Sequence, residues 1–259
     1  MGSLILRLTI LAAVLVPAAA SAQIVNIQPL LGPVDRPGFS LEFKGGMSLY
    51  TGNVELFSGD ASLLMRYQLG RHRLISTTCG ALAFKNSAQT MNQLFSHLRY
   101  QVFFFDWFAW ELWGQGAEDQ FTRLQLRVLG GTGPRFDAVR LPAFRLAIGL
   151  HYMLEYEQLR AEGAAPGEPL EELNHRASTY LTFTWDIVEN LSLQETAYVQ
   201  PKLTDPLGDF RVSNEVQLTA KVSRYFALGT SFQLKYDSAA PATIKALDTI
   251  TMATLTAGF

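Results

Sequence analysis

The chain has 259 residues, 48% hydrophobic and 17% charged, and its 21 basic and 23 acidic side chains leave a formal net charge of -2. An ordinary globular chain is about 25% charged, so the strongly basic face of a nucleic-acid binder is excluded, and the apolar share excludes disorder. One cysteine, Cys79, rules out an intramolecular disulfide framework and a paired-cysteine zinc site.

At the start, Arg7 precedes an apolar run from Leu8 to Ala20, and Ala20-Ser21-Ala22 supplies the small residues a signal peptidase needs. Residues 1–22 are therefore expected to be a cleaved signal peptide, with Gln23 the new N-terminus and 23–259 one exported unit. The apolar core of the leader is shorter than the roughly 20 residues of a spanning helix. In the rest of the chain even the most aromatic stretch, Val102 to Trp113, is broken by Asp106 and Glu111.

What repeats instead is alternation. Phe39, Leu41, Phe43, Met47 and Leu49 share one phase, and Ser40, Glu42, Lys44, Ser48 and Tyr50 the other. The pattern returns from Leu146 to Tyr156 against Arg145, His151, Glu155 and Glu157, from Val212 to Val222, and from Phe226 to Tyr236. A period of two is the signature of a pleated strand with two unlike faces. Turn signals punctuate these runs at Thr51-Gly52-Asn53, Gly70-Arg71, Asn86-Ser87, Asp106, Glu118-Asp119, Arg135 to Asp137, Ala161 to Pro169, Glu189-Asn190, Asp205 to Gly208, Ser223-Arg224 and Ser238 to Pro241. Eleven breaks imply about twelve strands, with room for the roughly 9 to 11 residues that cross a bilayer obliquely.

The second, fourth, eighth and tenth connections are tight, while the seventh, Ala161 to Glu172, and the eleventh are longer. The sixth, read as Gly133 to Leu141, is longer than strict alternation wants. Short turns on one side and loops on the other are the asymmetry of an outer-membrane barrel. Phe103, Phe104, Phe105, Trp107 and Phe108 beside one tight turn, and Trp185, Tyr225 and Phe226 beside others, suit an interfacial girdle. The final segment alternates from Thr249 and stops at Phe259, an aromatic end expected to serve as the assembly signal read by the barrel assembly machinery. The predicted fold is an all-β, transmembrane, antiparallel up-and-down β-barrel of about twelve strands, with outer-membrane lipid as its surroundings.

Thr51-Gly52-Asn53, Glu118-Asp119 with Phe121 and Arg127, the cluster Gly130, Gly131, Gly133 and Pro134, and Tyr236-Asp237 with Pro241 and Asp248 occur in this order along the chain. In these motifs the sequence resembles the salt-induced outer-membrane proteins, the domain of unknown function 481. The resemblance implies an outer-membrane β-barrel of the Gram-negative envelope without an established biochemical activity.

No catalytic constellation is found. Of His72, His97, His151 and His175, only His97 and His151 are placed within strands, on the polar phase, and no serine stands in a recognisable nucleophile setting. Neither a metal site nor a cofactor is expected, and the sequence carries no plug domain and sets no oligomeric state. The polar phase mixes both signs, and Glu111, Arg123, Arg127, Arg145, Glu155 and Glu157 are expected to form a charge network that occludes the lumen, with Arg123 and Arg127 facing Glu111 and Glu155. Glu195 falls on the phase of Leu193, Ala197 and Val199, so it either sits near an interface or marks a bulge. The expected function is a non-enzymatic, envelope- or stress-related barrel. A porin-like small pore or transporter of small solutes is the first alternative, and a soluble periplasmic ligand-binding barrel, with its aliphatic phase turned inward, is the second.

Overall fold

The computed structural model describes residues 10–13, 26–28, 37–51, 55–223 and 225–257. Twelve long strands follow one another: β2 (Gly38–Tyr50), β3 (Leu56–Leu69), β4 (His72–Lys85), β5 (Ala88–Phe105), β6 (Phe108–Asp119), β7 (Leu124–Arg140), β8 (Phe144–Leu159), β9 (Glu171–Val188), β10 (Leu191–Lys202), β11 (Asp205–Lys221), β12 (Phe226–Asp237) and β13 (Leu247–Ala257). Each pairs antiparallel with its chain neighbours, an up-and-down β-barrel as the alternation predicts. A four-residue strand, β1 (Ile10–Ala13), within the segment expected to be removed as the leader, lies on the outer edge of β13, from Ile10 opposite Ala257 to Ala13 opposite Thr254. Among the described residues no ladder joins β2 to β13.

The two faces are inverted relative to a soluble protein. Leu112 is 58% exposed while Glu111 beside it is 0% exposed, and Leu154 is 38% exposed beside Glu155 at 1%. An aliphatic belt therefore faces outward and the polar phase inward, which excludes the soluble barrel with an apolar interior. Strands of 11 to 18 residues meet or exceed what an oblique crossing requires. At the end carrying the tight turns, Phe105 lies on Trp107 with ring centroids 5.7 Å apart, and Phe108 meets Phe136 at 5.4 Å. Phe105 and Trp107 are exposed and Phe108 and Phe136 half-buried, in the place expected for a girdle beside the short turns, whereas Phe103 is buried on the inward phase beneath Arg73 and belongs to the lumen instead.

Three turn assignments change. Arg135 to Asp137 lie inside β7, held to β6 by the pairs Ala109–Arg135 and Phe108–Phe136. Gly133 and Pro134 are missing only from the ladder to β8. Proline has no amide to donate, so one ladder lapses while the other carries the strand on. The real connection is 141–143, and the sixth turn thus joins the tight side. Asp205 to Gly208 likewise begin β11, after a turn at 203–204, and Glu118-Asp119 end β6 before a 3-10 turn, Gln120–Thr122. Tight connections at 70–71, 106–107, 141–143, 189–190 and between Lys221 and Phe226 mark one end, and the long loops 160–170 and 238–246 lie at the other, the mouth.

Glu195 needs no bulge. Its register with β9 runs unbroken from Ser192 to Val199, it stays on the outward phase half-buried, and Asn214 Nδ2 donates to its Oε1 at 2.9 Å.

Candidate functional site

The inward phase assembles two charged layers. The lower one centres on Glu111 of β6. Arg99 Nη1 of β5 donates to Glu111 Oε2 at 2.8 Å, the Gln101 amide donates to Oε1, and Arg135 of β7 lies 3.9 Å away. Tyr180 of β9 donates its hydroxyl to Glu111 Oε2 at 3.1 Å, from three strands away around the wall. Trp113 Nε1 donates to His151 Nδ1 at 3.2 Å, leaving the proton of that ring on Nε2, 3.1 Å from Glu111 Oε2 though not aligned for a hydrogen bond. Small residues make room for the rings. A Cβ on Gly149 would fall on the Tyr180 ring, and one on Gly131 on the Trp113 ring.

The upper layer centres on Glu155 and Glu157 of β8. Arg176 Nε of β9 donates to Glu155 Oε1 at 3.0 Å, and Arg211 Nη1 of β11 to Glu155 Oε2 at 2.5 Å. Arg127 of β7 pairs closely with Glu157 and stands 3.8 Å from Glu155. Arg211 also reaches Glu157 at 3.2 Å and Asp237 of β12 at 2.8 Å, and Arg176 reaches Asp209 at 2.8 Å. Buried charges persist only when paired and hydrogen-bonded, and every guanidinium in this layer has carboxylate partners. Between the layers remains a cavity of about 20 Å³, lined among others by Arg99, Arg127, His151 and Glu155. That is room for about one water.

Above the upper layer a vestibule of about 390 Å³ opens beneath the loops 160–170 and 238–246. Arg123 holds these loops together. It sits at the left-handed end of the 3-10 turn (φ 62°), and its Nη1 donates to Glu168 Oε2 at 3.0 Å and to the Ala242 carbonyl at 2.9 Å. The Ala242 amide returns a bond to Glu168 Oε1 at 2.9 Å, and the Ala165 amide donates to Oε2 at 2.9 Å. Desolvation works to raise the Glu168 carboxyl, but the two amides and Arg123 outweigh it and hold the group below the ordinary carboxylate range.

Of the six residues assigned from sequence to the lumen network, Glu111, Arg127, Glu155 and Glu157 are in it. Arg123 belongs instead to the loop clasp at the mouth. Arg145 lies at the tight-turn end, its side chain 55% exposed and 3.7 Å from Asp186. Glu111 is paired with Arg99 and Arg135 rather than with Arg123 or Arg127. Arg176, Arg211 and Asp209 are further members, readable as the inward phase of strands that begin earlier than their aliphatic pattern suggests. His72 opens β4 and bonds the Tyr100 hydroxyl at 2.6 Å, while His175 lies within β9 and bonds the Tyr152 hydroxyl at 2.5 Å, so both are strand residues. Among the described residues no group of three or more potential ligands is arranged to hold a metal ion. Phe259, Gly258, the cleavage region 20–23 and Gly52-Asn53 lie outside the described residues.

An apolar belt, a girdle of rings and a charged interior define a transmembrane up-and-down β-barrel of the outer-membrane type. Residues 44–259 match the family described as "Protein of unknown function, DUF481", and the chain belongs to that family. No curated protein matches the sequence. Among solved structures the chain is similar to the NanC porin (9% identity, covering 85% of this chain and 97% of that one, TM-score 0.46). It is also similar to the translocator domain of the autotransporter NalP from Neisseria meningitidis (14% identity, 87% and 90% covered, TM-score 0.40). A third similarity is to OmpT, an outer membrane protein of Vibrio cholerae (9% identity, 85% and 96% covered, TM-score 0.31).

Proposed function

We propose that this is a non-enzymatic protein of the outer membrane, exported by a cleaved leader, whose lumen is held shut at rest by its own ion pairs. Its role is then structural or stress-related in the envelope rather than free passage of solutes. The observation that carries the reading is that the pairs cross the lumen. Glu155 of β8 is bonded by Arg211 of β11, and Glu111 of β6 by Tyr180 of β9, each pair lying three strands apart. Contacts between neighbouring strands would line a channel; contacts between separated strands divide it. Both signs occur in each layer, so the interior offers no single-sign ring of the kind that selects ions.

The test is membrane fractionation followed by liposome swelling. The protein should be recovered with the outer membrane, run as a heat-modifiable band, and leave liposomes impermeable to monosaccharides. Folded protein in the soluble periplasmic fraction, or swelling at porin-like rates, would contradict the reading.

A further inference from the structure

The lumen also holds a piece of chain that belongs to no strand. Ile27 is 1% exposed and packs against Leu64 of β3, Ile75 of β4 and Phe95 of β5. On the opposite side the Gln28 amide donates to the Tyr198 hydroxyl of β10 at 3.3 Å and accepts from Arg135 Nη1 of β7 at 3.0 Å. Asn26 donates from Nδ2 to Glu215 Oε2 of β11 at 3.2 Å and from its Oδ1 accepts the Gln28 amide N–H at 3.0 Å, which keeps the three residues in one compact turn. Three consecutive residues thus touch the walls formed by β3 to β5 and by β7, β10 and β11, a span from one side of the interior to the other.

Their contacts differ in kind from those of the wall. The two charged layers are tied by ion pairs, whereas this segment is held by one apolar side chain and by hydrogen bonds that neutral amides donate and accept. Nine residues of sequence, three of them proline, separate Gln28 from Gly38, where β2 begins at the tight-turn end. Nine residues reach at most about 30 Å, enough for the segment to leave the interior without disturbing a strand.

We propose that Asn26–Gln28 is a tethered plug against the β3 to β5 side of the lumen, whose withdrawal opens that side to small hydrated solutes. This rests on the reading of a lumen shut at rest. It adds that part of the closure is removable.

Native Cys79 supplies the test, because it packs partly buried against the same apolar cluster as Ile27. The full-length barrel is inserted in planar bilayers, and conductance in potassium chloride is measured alongside labelling of Cys79 by a membrane-impermeant maleimide. The double variant Ile27→Asp with Gln28→Ala should raise both conductance and labelling rate several-fold while keeping the heat-modifiable band. The variant Ile27→Cys, once oxidised, should form a disulfide with Cys79 and stay at the wild-type conductance. Should the first variant fail to fold, the second carries the test alone. A folded double variant unchanged in both readouts, or an Ile27→Cys protein that does not cross-link, overturns the plug while leaving the occluded wild type standing. A wild type conducting like a porin overturns the resting closure itself.

Discussion

Arg211 on β11 reaches past two strands to place its Nη1 2.5 Å from Glu155 Oε2 on β8, while its Nε holds Asp237 on β12 at 2.8 Å. One guanidinium therefore braces three places on the wall. Arg127 and Arg176 converge on the same pair of glutamates, so the upper layer carries three cations on two carboxylates, with Asp209 and Asp237 supplying the balance.

Removing one member of that layer should cost more than an ordinary surface change. Glu155→Ala leaves Arg127, Arg176 and Arg211 short of a partner, and breaking a buried pair from one side typically costs about 3 to 5 kcal/mol. The midpoint for urea unfolding in detergent or bilayers should fall accordingly, whereas Arg145→Ala at the exposed rim should leave it within about 0.5 kcal/mol.

The lower layer depends on space. Tyr180 lies where a Cβ on Gly149 would stand, so Gly149→Val should displace the ring from Glu111 and destabilise the barrel by about 1 to 3 kcal/mol or more. Gly116, with open space at its Cβ position, is the control, and Gly116→Ala should fold with unchanged yield. Equal losses for both would show that the ring does not depend on that glycine.

The loop clasp should respond to pH with a defined sign. The Glu168 carboxyl is held below its ordinary range, so its contribution is fully present above about pH 4.3, the unfolded value, and is lost as the pH falls through the lower folded value. Limited proteolysis of the loop 160–170 should accelerate only in acid for the native protein. Glu168→Gln should be cleaved readily at neutral pH, since the amide no longer offers Arg123 a negative charge and keeps one acceptor oxygen instead of two.

As a corollary of the proposed function, Phe259 acts in assembly. Deleting Phe259 should reduce the membrane-inserted fraction far more than Phe226→Ala, which loses girdle burial. Comparable folded yields for the two would remove any special role from the terminal aromatic.

How far the sequence could lead follows from which contacts are local. The two-residue period placed Glu111, Arg127, Glu155 and Glu157 on the inward phase, because strand phase needs only neighbours along the chain. Arg135 was hidden by Gly133-Pro134, which reads as a turn but interrupts only one of two ladders, and Arg211 by Asp205 to Gly208, which continue a strand despite turn composition. The pairing of Glu111 follows from register. Gln101 stands opposite it, so Arg99 on the same face is the diagonal neighbour, whereas Arg123 is carried past the end of β6 to the mouth. Contacts that cross the lumen depend on barrel closure, and Asn26–Gln28 carry no periodicity at all, so neither was legible.

Single-channel recording of the wild type beside the double variant Glu155→Ala with Arg211→Ala tests the central claim most directly. Arg127 keeps Glu157 and Arg176 keeps Asp209, while Asp237 loses its guanidinium, so insertion is checked first by the heat-modifiable band. The account predicts a wild type without porin-like conductance steps and a variant with clearly larger ones. A wild type already passing current at porin-like levels, or a folded variant indistinguishable from it, would contradict a lumen closed by its own ion pairs.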